Sequence, residues 1–185
     1  MKSAVSDIPV LRSERLRLRA PALDDFPHSF AMWSDPAVTR FIGGGRPHTK
    51  EEVWGRLLRY IGHWKAIGFG YWIVETIEGE NYVGEVGFAD YRRDITPPLD
   101  GLPEMGWVLA AGAHGKGFAF EAARAALQWR DVALPPGEVV CIIHPEHPAS
   151  LRVAEKLGFR RCSDAIYRGN ATAVLRRGSP SVGGR

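Results

Sequence analysis

Ala113-His114-Gly115-Lys116-Gly117-Phe118-Ala119-Phe120-Glu121-Ala122 decides how this 185-residue chain is read. Before it, Glu104 to Ala110 has the character of a strand. After it, Gly117 to Asp131 reads as a helix of small side chains. Two glycines let the backbone turn sharply and leave room beside it for a ligand. The free N–H groups and dipole of a helix start favour a phosphate, and Lys116 adds a cation. A Walker A loop would need Gly at 110 and Ser or Thr at 117, where the chain has Ala110 and Gly117. A dinucleotide G-x-G-x-x-G from Gly115 would need Gly at 120, where Phe120 stands. Both nucleotide motifs therefore fail. A tight turn without ligand is the alternative reading of the two glycines alone.

Working outward, Leu16 and Leu18 alternate with Arg15, Arg17 and Arg19, the period of a strand with one wet face. Asp24 or Asp25 opens a short helix carrying Phe26, Phe30 and Trp33, which Ser34-Asp35-Pro36 ends. Thr49 and Glu52 match a capping box for a helix that stops near Gly68. Tyr71–Ile77 and Tyr82–Tyr91 read as a hairpin about Glu78-Gly79-Glu80-Asn81. Glu138–His144 is a nearly continuous apolar strand, Ser150–Leu157 a short helix ended by Gly158, and Phe159–Tyr167 and Ala171–Arg176 two closing strands. This order predicts an α/β (α+β) protein: a mixed, mostly antiparallel central sheet of about seven strands flanked by about four helices.

The length and the absence of repeats or a linker predict one domain over 1–185, with flexible tails at 1–10 and 178–185. Hydrophobic residues make up 45% and charged residues 24%, which excludes disorder, collagen and a disulfide scaffold. Cys141, in an apolar run, and Cys162 lack CxxC spacing, so a reducing cytoplasm is the default. Neither a signal peptide nor a membrane span is expected. His144 and His147 lie three apart, but no carboxylate or cysteine cluster accompanies them, so no metal is expected.

The net charge of +3 combines −3 over residues 1–150 with +6 over 151–185. Aromatic and basic residues are not interleaved on a strand platform, so no nucleic-acid partner is expected. The basic end suits a small polyanion.

With these motifs in hand, the chain resembles the GNAT N-acetyltransferases. His114-Gly115-Lys116-Gly117-Phe118-Ala119, with Glu121-Ala122, looks like their coenzyme A loop, Arg/Gln-x-x-Gly-x-Gly/Ala. Ser13-Glu14-Arg15-Leu16-Arg17-Leu18-Arg19 is similar to the opening strand of the branch that acetylates ribosomal-protein N-termini. Ser34-Asp35-Pro36, Gly84-Glu85-Val86-Gly87-Phe88 and Glu104-Met105-Gly106-Trp107-Val108-Leu109 fit that branch too. So do Pro145-Glu146-His147-Pro148-Ala149-Ser150 and Glu155-Lys156-Leu157-Gly158-Phe159. Two positions depart: His114 replaces the usual Arg or Gln, and His147 the Asn of Asn-x-x-Ser.

The resemblance implies a GNAT fold, acetyl-CoA as co-substrate, and acetyl transfer to a primary amine by direct attack in a ternary complex. The acceptor is a peptide N-terminus or a small amine. A catalytically weak coenzyme A-sensing module is the alternative, motivated by the two histidines. The implied cradle is the backbone of His114, Gly115, Lys116, Gly117, Phe118 and Ala119. Trp107, Val108, Leu109 and Ala110 would pair with the pantetheine arm, which His147 and Ser150 would also approach. N–H groups near Val108 and Leu109 would hold the oxyanion.

Glu104 is the first candidate base and Glu85 the second, each with a solvated strand glutamate as the plain alternative. Ser150 is the candidate acid, with a helix N-cap as its plain alternative; Tyr167 is a weaker acid. Glu121 reads as structural. The Phe41–His48 and Tyr91–Gly101 loops are the expected acceptor walls. Trp33, Trp54 and Trp72 line the site or fill the core, and Trp64 is assigned to the core. The acidic portion is expected to suit a cationic amine, and Arg152 and Lys156 to attract the coenzyme. A homodimer is left open.

Overall fold

A computed structural model of the chain describes residues 8–178. The expected tails lie outside these residues except for 8–10 and 178. Ile8 packs on the core, and the Pro9 carbonyl accepts from Trp72 Nε1 at 2.8 Å.

The strands are β1 (Leu11–Arg12), β2 (Leu16–Arg19), β3 (Tyr71–Thr76), β4 (Tyr82–Ala89), β5 (Glu104–Leu109), β6 (Val139–Ile143), β7 (Arg160–Tyr167) and β8 (Asn170–Arg177). The helices are α1 (Phe26–Trp33), α2 (Pro36–Thr39), α3 (Lys50–Ile67), α4 (Phe118–Ala133) and α5 (Pro148–Lys156). One sheet runs β1-β2-β3-β4-β5-β6-β8-β7, and every neighbouring pair is antiparallel except β5–β6. The mixed, mostly antiparallel sheet is as expected. It has one more strand and one more helix than the sequence suggested. The additions, two-residue β1 and single-turn α2, are too short to carry a period. Pro36 ends α1 and also begins α2, with Asp35 as its cap accepting from Ala37 N–H at 2.8 Å.

Side-chain alternation gives the sheet two different faces. On one, Trp72, Val74, Val86, Phe88 and Met105 meet the alanine side of α4, where Ala122, Ala123 and Ala126 are buried. Small side chains let that helix lie close to the sheet. Trp64, Trp72 and Trp129 form three edge-on contacts at 4.7, 5.1 and 5.4 Å, which tie α3 and α4 to β3. Such pairs contribute about 0.5–1.5 kcal/mol beyond their burial. Trp64 and Trp72 are thus core, while Trp54 is exposed beside Phe26.

On the other face, α3 lays Tyr60 flat on Tyr71, ring centroids 4.4 Å apart. The Thr49 capping box opens α3 as the sequence indicated, and Gly68 ends it in the left-handed conformation. Among the described residues no helix is long and apolar enough to cross a membrane.

Candidate active site

The parallel strands β5 and β6 are paired at one position, Glu104 opposite Val140, where Val140 N–H donates to the Pro103 carbonyl at 3.1 Å. Beyond it they part. A cleft of about 1590 Å³ opens there, walled by β5, β6, the start of α4, α5 and the inner side of α3. The far edge of β5 stays laddered to β4, and Ala110 N–H donates to the Val83 carbonyl at 3.0 Å. Strand alternation from Ala110 turns the Val108 N–H toward β4 as well. It turns the backbone groups of Trp107 and Leu109 toward the cleft. Of the two expected oxyanion N–H groups, Leu109 therefore faces the cleft and Val108 does not. Val108 contributes its side chain to the wall instead, packed with the cluster around Trp33.

At the end of β5 the chain turns through Gly115 and Gly117, with φ +75° and +78°. A residue with a Cβ is strained at both. Space beside Gly115 is open, and the nearest atom beside Gly117 is an Arg15 guanidinium nitrogen, 3.6 Å from where a Cβ would be. Gly117 caps α4 without a side chain, so no side chain occupies the first-turn N–H groups. This cradle fits a phosphate. His114 donates from Nε2 to the Leu109 carbonyl at 2.8 Å, closing the strand end and fixing the loop.

Arg15 supports the loop from below. It donates to the Lys116 carbonyl at 3.1 Å and lies over the Phe118 ring at 4.7 Å. It also pairs with Glu121 at 2.6 Å, which in addition accepts from Ser13 Oγ and Arg15 N–H, both at 2.8 Å. Burial pushes the Glu121 carboxyl up, but these donors hold it below its ordinary value. Glu121 thus acts structurally on the loop. Arg15 was not singled out, because its alternation with Leu16 gave it only a wet face.

Across the cleft, α5 begins at Pro148 with His147 as its N-cap residue, so Ser150 stands in the first turn rather than at the cap. Ser150, Arg152 and Lys156 line the wall. The His147 ring stacks on Phe41 at 4.7 Å, and His144 tilts against the same ring at 5.4 Å. Burial, then His114 and His144, hold His147 below the usual histidine range. Among the described residues no group of three His, Cys, Asp or Glu side chains is placed to hold a metal. Cys141 is buried, and burial pushes its thiol up, which leaves it unreactive.

The two candidate bases differ. Glu104 lines the cleft at the start of β5, held by Arg93 through two bonds of 2.6 and 2.7 Å. Burial pushes its carboxyl up and Arg93 opposes that shift. Glu85 is 1% exposed and lies behind the wall. It accepts from the Ser29 hydroxyl, Trp33 Nε1 at 2.9 Å, and the Tyr60 and Tyr82 hydroxyls at 3.0 Å each. Burial and then Glu85 push Tyr60 and Tyr82 far above the ordinary phenol, so both remain donors. The solvated alternative holds for neither glutamate.

The expected acceptor loops reach the cleft through residues 41–46 and His48, and through Tyr91 and Arg93; Arg40 and Tyr167 join them. Tyr71 presses its hydroxyl toward Gly106, where a Cβ would come within 2.1 Å of it. The wall is not acidic as expected: Arg40, Arg46, Arg56, Arg59, Arg93 and Arg168 reach it, against Glu51, Glu52 and Glu104.

The family model described as an acetyltransferase (GNAT) domain matches residues 15–160. An uncharacterised N-acetyltransferase of Bacillus subtilis is 36% identical over 151 residues, covering 82% of both chains. A putative GNAT-family acetyltransferase from Bordetella pertussis superposes with a TM-score of 0.81 at 34% identity, covering 92% of this chain and 99% of that one. The ribosomal L7/L12 α-N-protein acetyltransferase RimL, solved with coenzyme A, has a TM-score of 0.74 at 15% identity, covering 92% and 98%; it shares the fold. Parted strands above an uncapped helix start, and a family match spanning most of the chain, agree: this chain belongs to the GNAT acetyltransferase family.

Proposed function

We propose that the chain transfers the acetyl group of acetyl-CoA to a primary amine by direct attack in a ternary complex. The observation that carries this is the opening of β5 from β6 directly above the uncapped start of α4. That opening offers one ligand both an anion cradle and a free strand edge. Acetyl-CoA supplies the acyl group as a thioester. The first-turn N–H groups of α4 and the turn at Gly115 and Gly117 would hold its phosphates, with Lys116, Arg152 and Lys156 lending charge. The Trp107 and Leu109 edge would align the pantetheine amides in the manner of an added strand. The Leu109 N–H would hold the charge that develops on the acyl oxygen.

Glu104 would take, through water, the proton that the amine loses. Ser150 would return one to the departing sulfur. Glu85, 1% exposed behind Trp33 and Tyr60, would act only by fixing those two side chains. A similar branch resemblance makes a peptide N-terminus one acceptor to test. An α-amino group, pKa about 7.7–8.0, is partly neutral at working pH and needs a base less than a lysine at about 10.4. Thiol release from acetyl-CoA over a panel of amines and peptides tests the reading, and failure to bind the coenzyme by calorimetry ends it. Tight coenzyme binding with no turnover on any acceptor would favour the sensing module.

A further inference from the structure

The cleft wall opposite the phosphate cradle carries cations that no carboxylate of this chain neutralises directly. Arg46 and Arg93 are paired, with Glu52 and Glu104. Among the described residues Arg56, Arg59 and Arg168 form no ion pair.

Arg56 and Arg59 lie three apart on α3, one turn along the same side. The Arg56 guanidinium sits 3.7 Å over the Trp33 ring and bonds the Tyr60 hydroxyl, while its buried Nε has no hydrogen-bond partner. Its Nη2 is 3.4 Å from His48 Nδ1. Burial first, and then Arg56, hold His48 below its ordinary range, so that contact places no second positive charge there. Glu85 faces Arg56 from behind Trp33 and Tyr60, which take its oxygens.

Beyond Arg56 the acceptor end is a row of alternating guanidinium groups and rings. Arg59 lies over Tyr91 at 5.4 Å and Arg93 over Tyr91 at 4.2 Å. Arg93 also lies over Tyr167 at 4.8 Å, and Arg168 over Tyr167 at 5.4 Å. Arg168 occupies the first central position of the two-residue β7–β8 turn, with φ +49° followed by +79° at Gly169. That position favours Asn or Gly over a long side chain. Glu104 takes the edge donors of Arg93, but stacking holds the guanidinium planes of Arg59 and Arg168 flat with no carboxylate of the chain on them, the geometry that takes a carboxylate by two parallel bonds.

We propose that the amine accepted here carries a carboxylate close to its amino group, taken by Arg56 with Arg59. This rests on the acetyl-transfer reading above. The carboxylate takes N–H groups at the outer edge of Arg56 together with those of the unpaired Arg59, and directs the amine toward Glu104 and the open edge of β5. A polyamine brings further positive charge to the same wall and is rejected. The carboxylate has two sources, the α-carboxylate of a free amino acid and an acidic first side chain of a peptide.

The test uses the full chain with saturating acetyl-CoA and matched acceptor pairs. One arm compares each α-amino acid with its carboxamide. The other compares tripeptide amides led by Asp or Glu with those led by Asn or Gln. Spermidine is the cationic control. The expected result is that kcat/KM favours the acid over its neutral match by at least about tenfold in one arm, and that arm names the source. Arg56→Gln is expected to bring the ratio within about threefold through KM, with the coenzyme Kd unchanged; Arg56→Lys, a charge without the fork, retains part of it. Equal use of acid and amide, a preference for spermidine, or unaltered discrimination in Arg56→Gln overturns the proposal. Arg59→Gln provides a second reading if Arg56→Gln does not fold.

Calorimetric titration of the coenzyme-loaded chain with the same pairs separates this idea from the transferase reading. Acid-selective binding that Arg56→Gln removes supports the carboxylate site even with no turnover. Equal binding of acid and amide, or binding of neither, overturns it whatever the turnover.

Discussion

The two ends of the cleft are built in opposite ways. The proposed cradle at residues 114–119 is one continuous segment that offers its backbone: two left-handed glycines and the uncapped start of α4. The proposed acceptor end is assembled from α3, the loop after β4 and the β7–β8 turn, and presents side chains to the cleft. A backbone site constrains residue types over a few adjacent positions. A side-chain site constrains only which distant segments meet, so it can change from one protein of a fold to another without disturbing the cradle.

The sharpest way to break the contrast is Gly117→Asp. It forces a left-handed conformation on a residue with a Cβ, at a cost of about 1–3 kcal/mol, and sets an anion where phosphates are held. Coenzyme affinity measured by calorimetry is expected to fall by more than about a thousandfold. Retained affinity would remove the cradle from 114–119.

Glu104→Gln tests the other end. Coenzyme binding should survive while kcat falls by about a hundredfold, the scale of lost general-base help. An unchanged kcat would leave Glu104 as an ion-pair partner only.

Arg93→Met sharpens the same point through pH. The base acts ionised, so kcat/KM falls as pH drops through its folded pKa. Burial sets that acidic limb above the ordinary glutamate value of about 4.3, and Arg93 opposes the shift. Removing Arg93 should therefore move the limb to higher pH. A limb that stays in place means another group is titrating.

The smallest expected effect is at Arg15. Arg15→Ala should weaken coenzyme binding about threefold by loosening the loop and lower Tm by about 2–4 °C. Glu121 is held below its ordinary value, so its contribution is present above about pH 4.3 and lost as pH falls through the folded pKa. The stability gap between parent and variant should narrow in that acid range, as read by chemical denaturation. A gap independent of pH would detach Arg15 from Glu121.

Much of the fold was legible because its elements carry strong local signals. The Thr49 capping box, the Tyr71–Ile77 hairpin strand and the apolar run at 139–143 appear close to where the sequence put them. Short β1 and α2 were not legible, since two to four residues hold no period. In the site, the turn proposed to hold the coenzyme was legible because glycine is chosen for backbone shape. Glu85 was ambiguous for a physical reason: a polar residue in an apolar strand can face solvent, a cleft or a private set of donors. Here four donors drawn from α1, α3 and β4 decide it. Ser150 was named from its motif, yet the cap belongs to His147, because Pro148 starts the helix earlier.

The sequence by itself determined the alternation of strands and helices, the glycine turn into α4 and the family to which these belong. The first two follow from the conformational preferences of neighbouring residues, and the third from the resemblance of the ordered motifs to a known family. Only the tertiary structure decided the sign of the acceptor wall. The first 150 residues sum to −3, but charge is a property of a surface, and their carboxylates are spent on pairs such as Arg93–Glu104 and Arg46–Glu52. Among the cations left without an ion pair at the cleft are Arg56 and Arg59 from α3 and Arg168 from the β7–β8 turn, segments far apart in sequence that only the fold brings to one wall.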